Sequence, residues 1–234
     1  LSTAIATRFQ PRKTPVQARS VASVDAILEA TIQVLLKDGK MNLTTTRVAE
    51  RAGVSVGTLY QYFPNKSALL QALLRDKLSA VIASVEKVSI DMHGAPLADM
   101  AEALVKAFVA AKFKHAGVSV ALYAASEDLG GKKIAREMQL RSVTAIQQMI
   151  QSSSETISGD PAAIAQTLQG AISGVSRATL ENGVNPSAMQ SMEQQLIVLT
   201  TAYLRASAAV LVSGTSHVQN LSSPPTPFKS PNPL

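Results

Sequence analysis

Between Leu43 and Leu70 the chain reads LTTTRVAERAGVSVGTLYQYFPNKSALL, and its residues with recognisable chemistry concentrate there. The segment offers the hydroxyls of Thr44, Thr45, Thr46, Ser55 and Thr58, the phenols of Tyr60 and Tyr62, the amide of Gln61 and the ammonium of Lys66. From Ser55 to Tyr62 there is no acid. Hydroxyls and backbone N–H groups bind phosphate oxygens, a glutamine amide pairs with an adenine edge, and a small apolar side chain such as Val56 touches a thymine methyl. Gly57 removes a side chain where a backbone must come close. Lys66 falls in the first turn of a helix, the wrong end for a cation in the helix dipole; a phosphate lying opposite would account for it.

Catalytic chemistry finds no comparable support. His93, His115 and His217 are isolated, and none has a Glu three residues before it. HExxH and phosphate-binding glycine loops are missing, and there is no cysteine for a thiol nucleophile, a Cys-based zinc site or a disulfide. The sequence therefore implies no enzyme, no metal and no cofactor. Absence of cysteine fits a reducing, cytoplasmic setting.

Two short helices must hold the hydroxyl-rich segment in place. The first runs from Thr44 to Ala52 and turns Val48 and Ala49 inward. Gly53 follows in a sharp turn that calls for positive φ. A second helix, capped by Ser55 and ending near Tyr62, turns Val54 and Leu59 inward. Ala49, four residues before Gly53, is small enough for the two to cross closely. The arrangement is a helix-turn-helix, in which the second helix enters a major groove.

Around this pair the apolar spacing is helical throughout. Val24, Ile27, Leu28, Val34 and Leu35 recur at three and four, predicting a helix over 21–37 that Gly39 stops. Pro64 and Asn65 introduce a long helix to about Ile90. Further helices are expected near 97–114, 117–126, 131–156, 161–182 and 186–212, with no confident strand. The expected fold is all-α with about nine helices. It divides into a basic arm (1–20), a helix-turn-helix domain (21–80), a helical domain (81–212) and a Pro/Ser-rich disordered tail (213–234). The arm lacks the apolar core of a leader peptide, and no apolar run is long enough to span a bilayer.

Charge follows the same division. Of the 234 residues, 46% are hydrophobic and 16% charged, enough apolar material for a core. Residues 1–80 hold 11 Lys/Arg against 5 Asp/Glu, whereas residues 81–234 hold 11 of each, so the whole net charge of +6 lies in the first third. A basic module meeting a polyanion, followed by a neutral module, fits this asymmetry. Charge alone does not choose between nucleic acid and a membrane surface.

Residues 21–77 closely resemble the DNA-binding domain of the tetracycline-repressor (TetR) family. The matching positions are Thr44, Ala49, the run Ala52-Gly53-Val54-Ser55, Gly57, Leu59-Tyr60, Phe63, Lys66 and Leu70. The resemblance implies that Thr44, Thr45, Thr58, Tyr60 and Lys66 hold phosphates of a double-stranded operator, with Thr46, Val56, Gly57, Gln61 and Tyr62 near base edges. Leu59 and Phe63 read as packing, Tyr60 as a phosphate contact, and Tyr62 as either. The resemblance further implies a homodimer, a small-molecule effector bound by the C-terminal helices, and the helix from Asn65 to Ile90 as the lever between the two sites.

Effector and dimer positions are read by combining helical register with that resemblance. Candidate pocket residues are Phe108, Phe113, Tyr123, Met138, Arg141 and Ile146. Arg141 also lies four residues after Glu137, as a surface ion pair would. Candidate interface residues are the small-residue stripe Gly170, Gly174 and Ala178, with Leu196 and Tyr203 from the last helix; their alternative is packing within one chain. The expected function is a ligand-responsive, homodimeric transcriptional repressor. The competing expectation is a DNA-binding scaffold whose C-terminal domain docks a protein.

Overall fold

A computed structural model describes residues 18–114, 116–126, 131–183 and 185–209. The expected basic arm and Pro/Ser-rich tail lie outside them, apart from Ala18–Ser20 of the arm. The described residues form nine helices and no strand: α1 (Ala18–Asn42), α2 (Thr45–Arg51), α3 (Val56–Tyr62), α4 (Lys66–Asp91), α5 (Leu97–Phe113), α6 (Ala116–Ser126), α7 (Gly131–Gln151), α8 (Pro161–Glu181) and α9 (Pro186–Ala209). Among the described residues no helix is long and apolar enough to cross a membrane.

Local chemistry explains the breaks. Gly39 interrupts α1 with φ 74° and ψ 171°, leaving Lys40–Asn42 as a final kinked turn. Thr44, Ser55 and Asn65 cap α2, α3 and α4, each side chain accepting a backbone N–H three residues on, which satisfies a donor that the helix leaves without a partner. Gly53 sits at φ 68° between α2 and α3, and the N–H of Val54 closes the turn on the Ala49 carbonyl at 3.0 Å. Asp160 caps α8 by accepting from Ala162 and Ala163, with Pro161 opening the helix.

The helix read over 131–156 stops five residues early, at Gln151. Serines explain why. Ser152 accepts from the Gly94 N–H, Ser153 donates to the Ala95 carbonyl at 3.1 Å, and Glu155 accepts from the Leu97 N–H at 2.7 Å. Ser152, Ser153 and Glu155 thus satisfy the chain that leads into α5 instead of continuing α7.

Two apolar clusters form. One gathers Ile27, Leu35, Leu43, Val48, Leu59 and Phe63 from α1 to α3 with Leu70, Leu73 and Ile82 of α4, and extends to Val118 and Leu122 of α6 and Ile134 and Met138 of α7. The other joins Val81 and Val85 of α4 to α5, α7, α8 and α9. The expected division near residue 80 therefore falls inside α4, which serves both clusters.

Gly53 lends itself to a direct test. Nothing lies within 4 Å of a Cβ built on it, so only the backbone conformation opposes a side chain. Gly53→Ala should destabilise the fold by about 1–2 kcal/mol, the usual left-handed penalty, measured by denaturant unfolding.

Candidate nucleic-acid interface and ligand cavity

Most of the side chains singled out in the helix-turn-helix reach the surface. Thr44, Thr46, Ser55, Val56, Gly57, Tyr60 and Gln61 are exposed, while Thr45, Thr58 and Tyr62 are half-buried. The Tyr60 and Thr45 hydroxyls lie 3.0 Å apart, which ties the end of α3 to the start of α2. Ser55 and Thr58 hydroxyls meet at 2.8 Å. Leu59 and Phe63 are buried, as the packing reading has it.

Three of these groups also have structural duties. Thr44 and Ser55 spend acceptor capacity on capping. The Lys66 ammonium donates to the Lys40 carbonyl at 2.8 Å, at the kinked end of α1. A lysine at that position thus has a local reason besides a phosphate: it closes the C-terminal turn of another helix. An ammonium has three donors, so this bond does not exhaust it. Arg47 and Arg51 of α2, which the sequence reading passed over, turn back to α1 through Asp38 and Gln33.

A cleft of about 410 Å³ opens between α4, α5, α7 and α8. Leu74, Leu78, Val81 and Ile82 of α4, with Phe108 and Lys112 of α5, form one side. On α7 it is bounded by Gly131, Lys132, Ala135, Met138 and Gln139, and on α8 by Gln169, Gly170, Ser173, Gly174 and Arg177. The apolar floor is buried, whereas Lys132, Ala135, Gly170, Gly174 and Arg177 are exposed and make a rim.

Of the expected pocket residues, Phe108 and Met138 line this cleft. Phe113 and Ile146 do not; both are packed in the C-terminal core. Tyr123 lies on α6, and its side chain falls outside the described residues. Arg141 is corrected twice. It is not on the cleft wall, and its partner is not Glu137: its guanidinium grips Glu86 of α4 at 3.0 and 2.8 Å. Glu137 instead accepts from Arg75 at 2.8 Å. Both ion pairs join α4 to α7, partners that spacing within one helix cannot reveal.

The expected interface residues also separate. Leu196 is 1% exposed within its own chain, because α9 packs on α5 and α8, and so it has no face for a partner. Tyr203 is half-buried against the same core. Gly170 and Gly174 line the cleft, and no atom stands within 4 Å of a Cβ built on either, so neither brings two helices of this chain together. Ala178 is exposed. The large apolar side chains that α8 and α9 leave uncovered are Val175, Val198 and Leu199.

Lys112, Gln169 and Arg177 were missed. Lys112 did carry a signal: it continues the stripe Leu97, Ala101, Leu104 and Phe108 that α5 buries, a register where a cation is out of place. It is 7% exposed and is the one buried charged side chain among the described residues. No group of three or more His, Cys, Asp or Glu able to hold a metal ion occurs among those residues.

Comparison with known proteins agrees with both halves. Residues 27–73 match the bacterial regulatory proteins of the tetR family, and residues 96–204 match the tetracyclin repressor-like C-terminal domain. The chain belongs to the TetR family. The transcriptional repressor KstR of Mycolicibacterium smegmatis is 39% identical over 64 residues, 27% of this chain and 31% of that protein. The chain thus spans about a third of the length of such curated relatives. Its fold resembles that of a TetR-family regulator from Mesorhizobium loti, with a TM-score of 0.68, 18% identity, and 81% of this chain and 98% of that one covered. It also resembles LfrR from Mycobacterium smegmatis, solved with proflavine, with a TM-score of 0.53, 19% identity, and 80% and 98% covered.

The bond from Arg75 holds the Glu137 carboxyl below its ordinary range, and the charge of the same guanidinium adds to the effect. Arg75→Gln should let Glu137 titrate upward, toward the usual value of a glutamate. Carboxyl NMR shifts across an acid titration read this directly.

Proposed function

We propose that this protein is a homodimeric, DNA-binding transcriptional repressor, released from a palindromic operator by a small molecule that enters the cleft. The observation that carries the DNA-binding part is the exposure of Val56, Gly57, Tyr60 and Gln61 on α3, which has no acid, with the Tyr60 hydroxyl 3.0 Å from that of Thr45 at the start of α2. Family membership and the repressor relative support it. Thr45, Thr58, Tyr60 and Lys66 supply donors for phosphates, and Gln61 is the side chain suited to a base edge. Two such surfaces, about 34–36 Å apart, fit successive major grooves.

Ligand response rests on the cleft, whose size is ordinary for a small-molecule site. A cleft of this kind favours the effector reading over a C-terminal domain that only docks protein, and LfrR, of similar fold, was solved with a small molecule. The route to DNA is α4, which supplies part of the cleft wall and leads directly into the head. Arg75–Glu137 and Arg141–Glu86 tie it to α7, the facing wall. A ligand that separates α4 from α7 favours a second spacing of the two heads, and DNA loses affinity by the difference in ligand affinity between the two states.

DNA selected from a random pool should yield a palindrome. In α3, Gly57 has open space beside it, with only Ser55 Oγ at 3.7 Å from a built Cβ. Gly57→Ala should therefore keep or slightly raise stability, since alanine favours helix by up to about 1 kcal/mol, yet lower operator affinity at least tenfold. Undiminished affinity would mean that no DNA approaches α3 there.

The dimer is assigned to α8 and α9, where Val175, Val198 and Leu199 stand uncovered. Glutamates at both Val198 and Leu199 should leave the monomer folded and shift sedimentation equilibrium to monomer at low micromolar concentration. Persistence of the dimer would move the interface to another face.

A further inference from the structure

We infer that the cleft takes an amphipathic anion: an apolar body lying along α4 and α5, with an acidic head group held by Lys112 and attracted by Lys132 and Arg177. The inference rests on the ligand-responsive reading above and gives it a chemical class. Three observations carry it.

First, the floor is apolar. Leu74, Val81, Ile82, Phe108 and Met138 are buried yet border the cleft, so an apolar ligand completes their contacts and removes what remains from water.

Second, a cation sits among them. A buried charge is costly unless an opposite charge or several hydrogen bonds meet it. Lys112 is nevertheless placed at a core register of α5, with its side chain on the cleft wall. Its ammonium has three N–H donors, so an acceptor within the chain still leaves donors for a ligand. Gln169, 9% exposed and on the opposite wall, adds an amide that already reaches Ser173 at 2.8 Å.

Third, the rim repeats the sign. Lys132 and Arg177 are exposed at the opening, and no Asp or Glu is among the described lining residues. Arg177 shares its guanidinium with Glu181 at 2.7 Å, outside the lining, which reduces its charge toward the cleft without cancelling the other two. Three cations around one apolar cleft attract an anion and repel a cation of the same shape.

The test compares four probes of one chain length: dodecanoate, dodecyl phosphate, dodecanol and dodecylammonium. Each is used below its micelle concentration, with binding to the full chain read by calorimetry. The two anions should bind at least tenfold tighter than dodecanol, and dodecylammonium weakest of all; whichever anion is tighter identifies the head group. Lys112→Met keeps length and apolar volume and should erase the tenfold preference while changing dodecanol affinity less than about twofold. If Lys112→Met fails to fold, Lys132→Gln combined with Arg177→Gln at the exposed rim should weaken only the anions, by about three- to fivefold. Dodecylammonium or dodecanol binding as tightly as the anions would overturn the inference. So would a preference untouched by both sets of substitutions, or no binding by any probe. Operator affinity measured with the bound anion separates the two readings. Lys112-dependent binding that leaves DNA affinity unchanged establishes the site and sinks ligand-controlled release.

Discussion

One helix bears on every other part of this molecule. α4 is 26 residues long, about 39 Å at 1.5 Å per residue. Its first half buries Leu69, Leu70, Leu73 and Leu74 beneath the helix-turn-helix, and its second half buries Val81 and Val85 in the C-terminal bundle. A continuous ladder of backbone hydrogen bonds joins the halves, so neither end turns far without carrying the other. Ordinary amphipathic helices bury a single stripe. α4 buries side chains on different sides along its length, because it has partners on different sides.

The two ion pairs between α4 and α7 fit that role as positioning contacts. Three of the four side chains are exposed and Glu86 is half-buried, and pairs so open to solvent contribute only about 0–1 kcal/mol each. Stability comes from the apolar contacts beneath them. What the pairs add is register. Arg75–Glu137 and Arg141–Glu86 lie on either side of Met138 along α7, so the cleft wall and the helix leading to the head are fixed relative to each other at two points. Ser79 reaches the Met138 sulfur at 3.7 Å between them.

Much of this was legible from residue order. Helix limits follow local signals, such as Gly39, Gly53, Asn65 and Asp160–Pro161, and local signals survive folding unchanged. The helix-turn-helix was equally plain, since α2, its turn and α3 fit within about twenty residues and bury Val48, Ala49 and Leu59 as their spacing requires. The cleft was not legible, because its walls come from four helices spread over more than a hundred residues. Arg141 shows the difficulty: a partner four residues away on the same helix is visible in the sequence, and a partner 55 residues away is not. Leu196 shows another side of it. An apolar front on a last helix looks the same whether it meets its own chain or a second copy, and here the register of α9 gives Leu196 to its own core while leaving Val198 and Leu199 outside.

The joint between residues 94–97 and 152–155 has a consequence for how such a chain diversifies. Pro96, at the N-cap of α5, has no side chain able to cap it, and Glu155, from beyond the end of α7, accepts the Leu97 N–H in its place. Two chain segments 58 residues apart thereby act as one corner, and Ser158 continues the fastening to α9 through the Ser207 and Ala208 carbonyls. Residues added or lost at this corner would unfasten three helices at once. Changes in the lining of the cleft disturb none of these bonds. Variation in what the cleft admits can therefore accumulate on α7 and α8 while this end of the bundle stays fixed, which separates the parts of the sequence free to drift from those held in place.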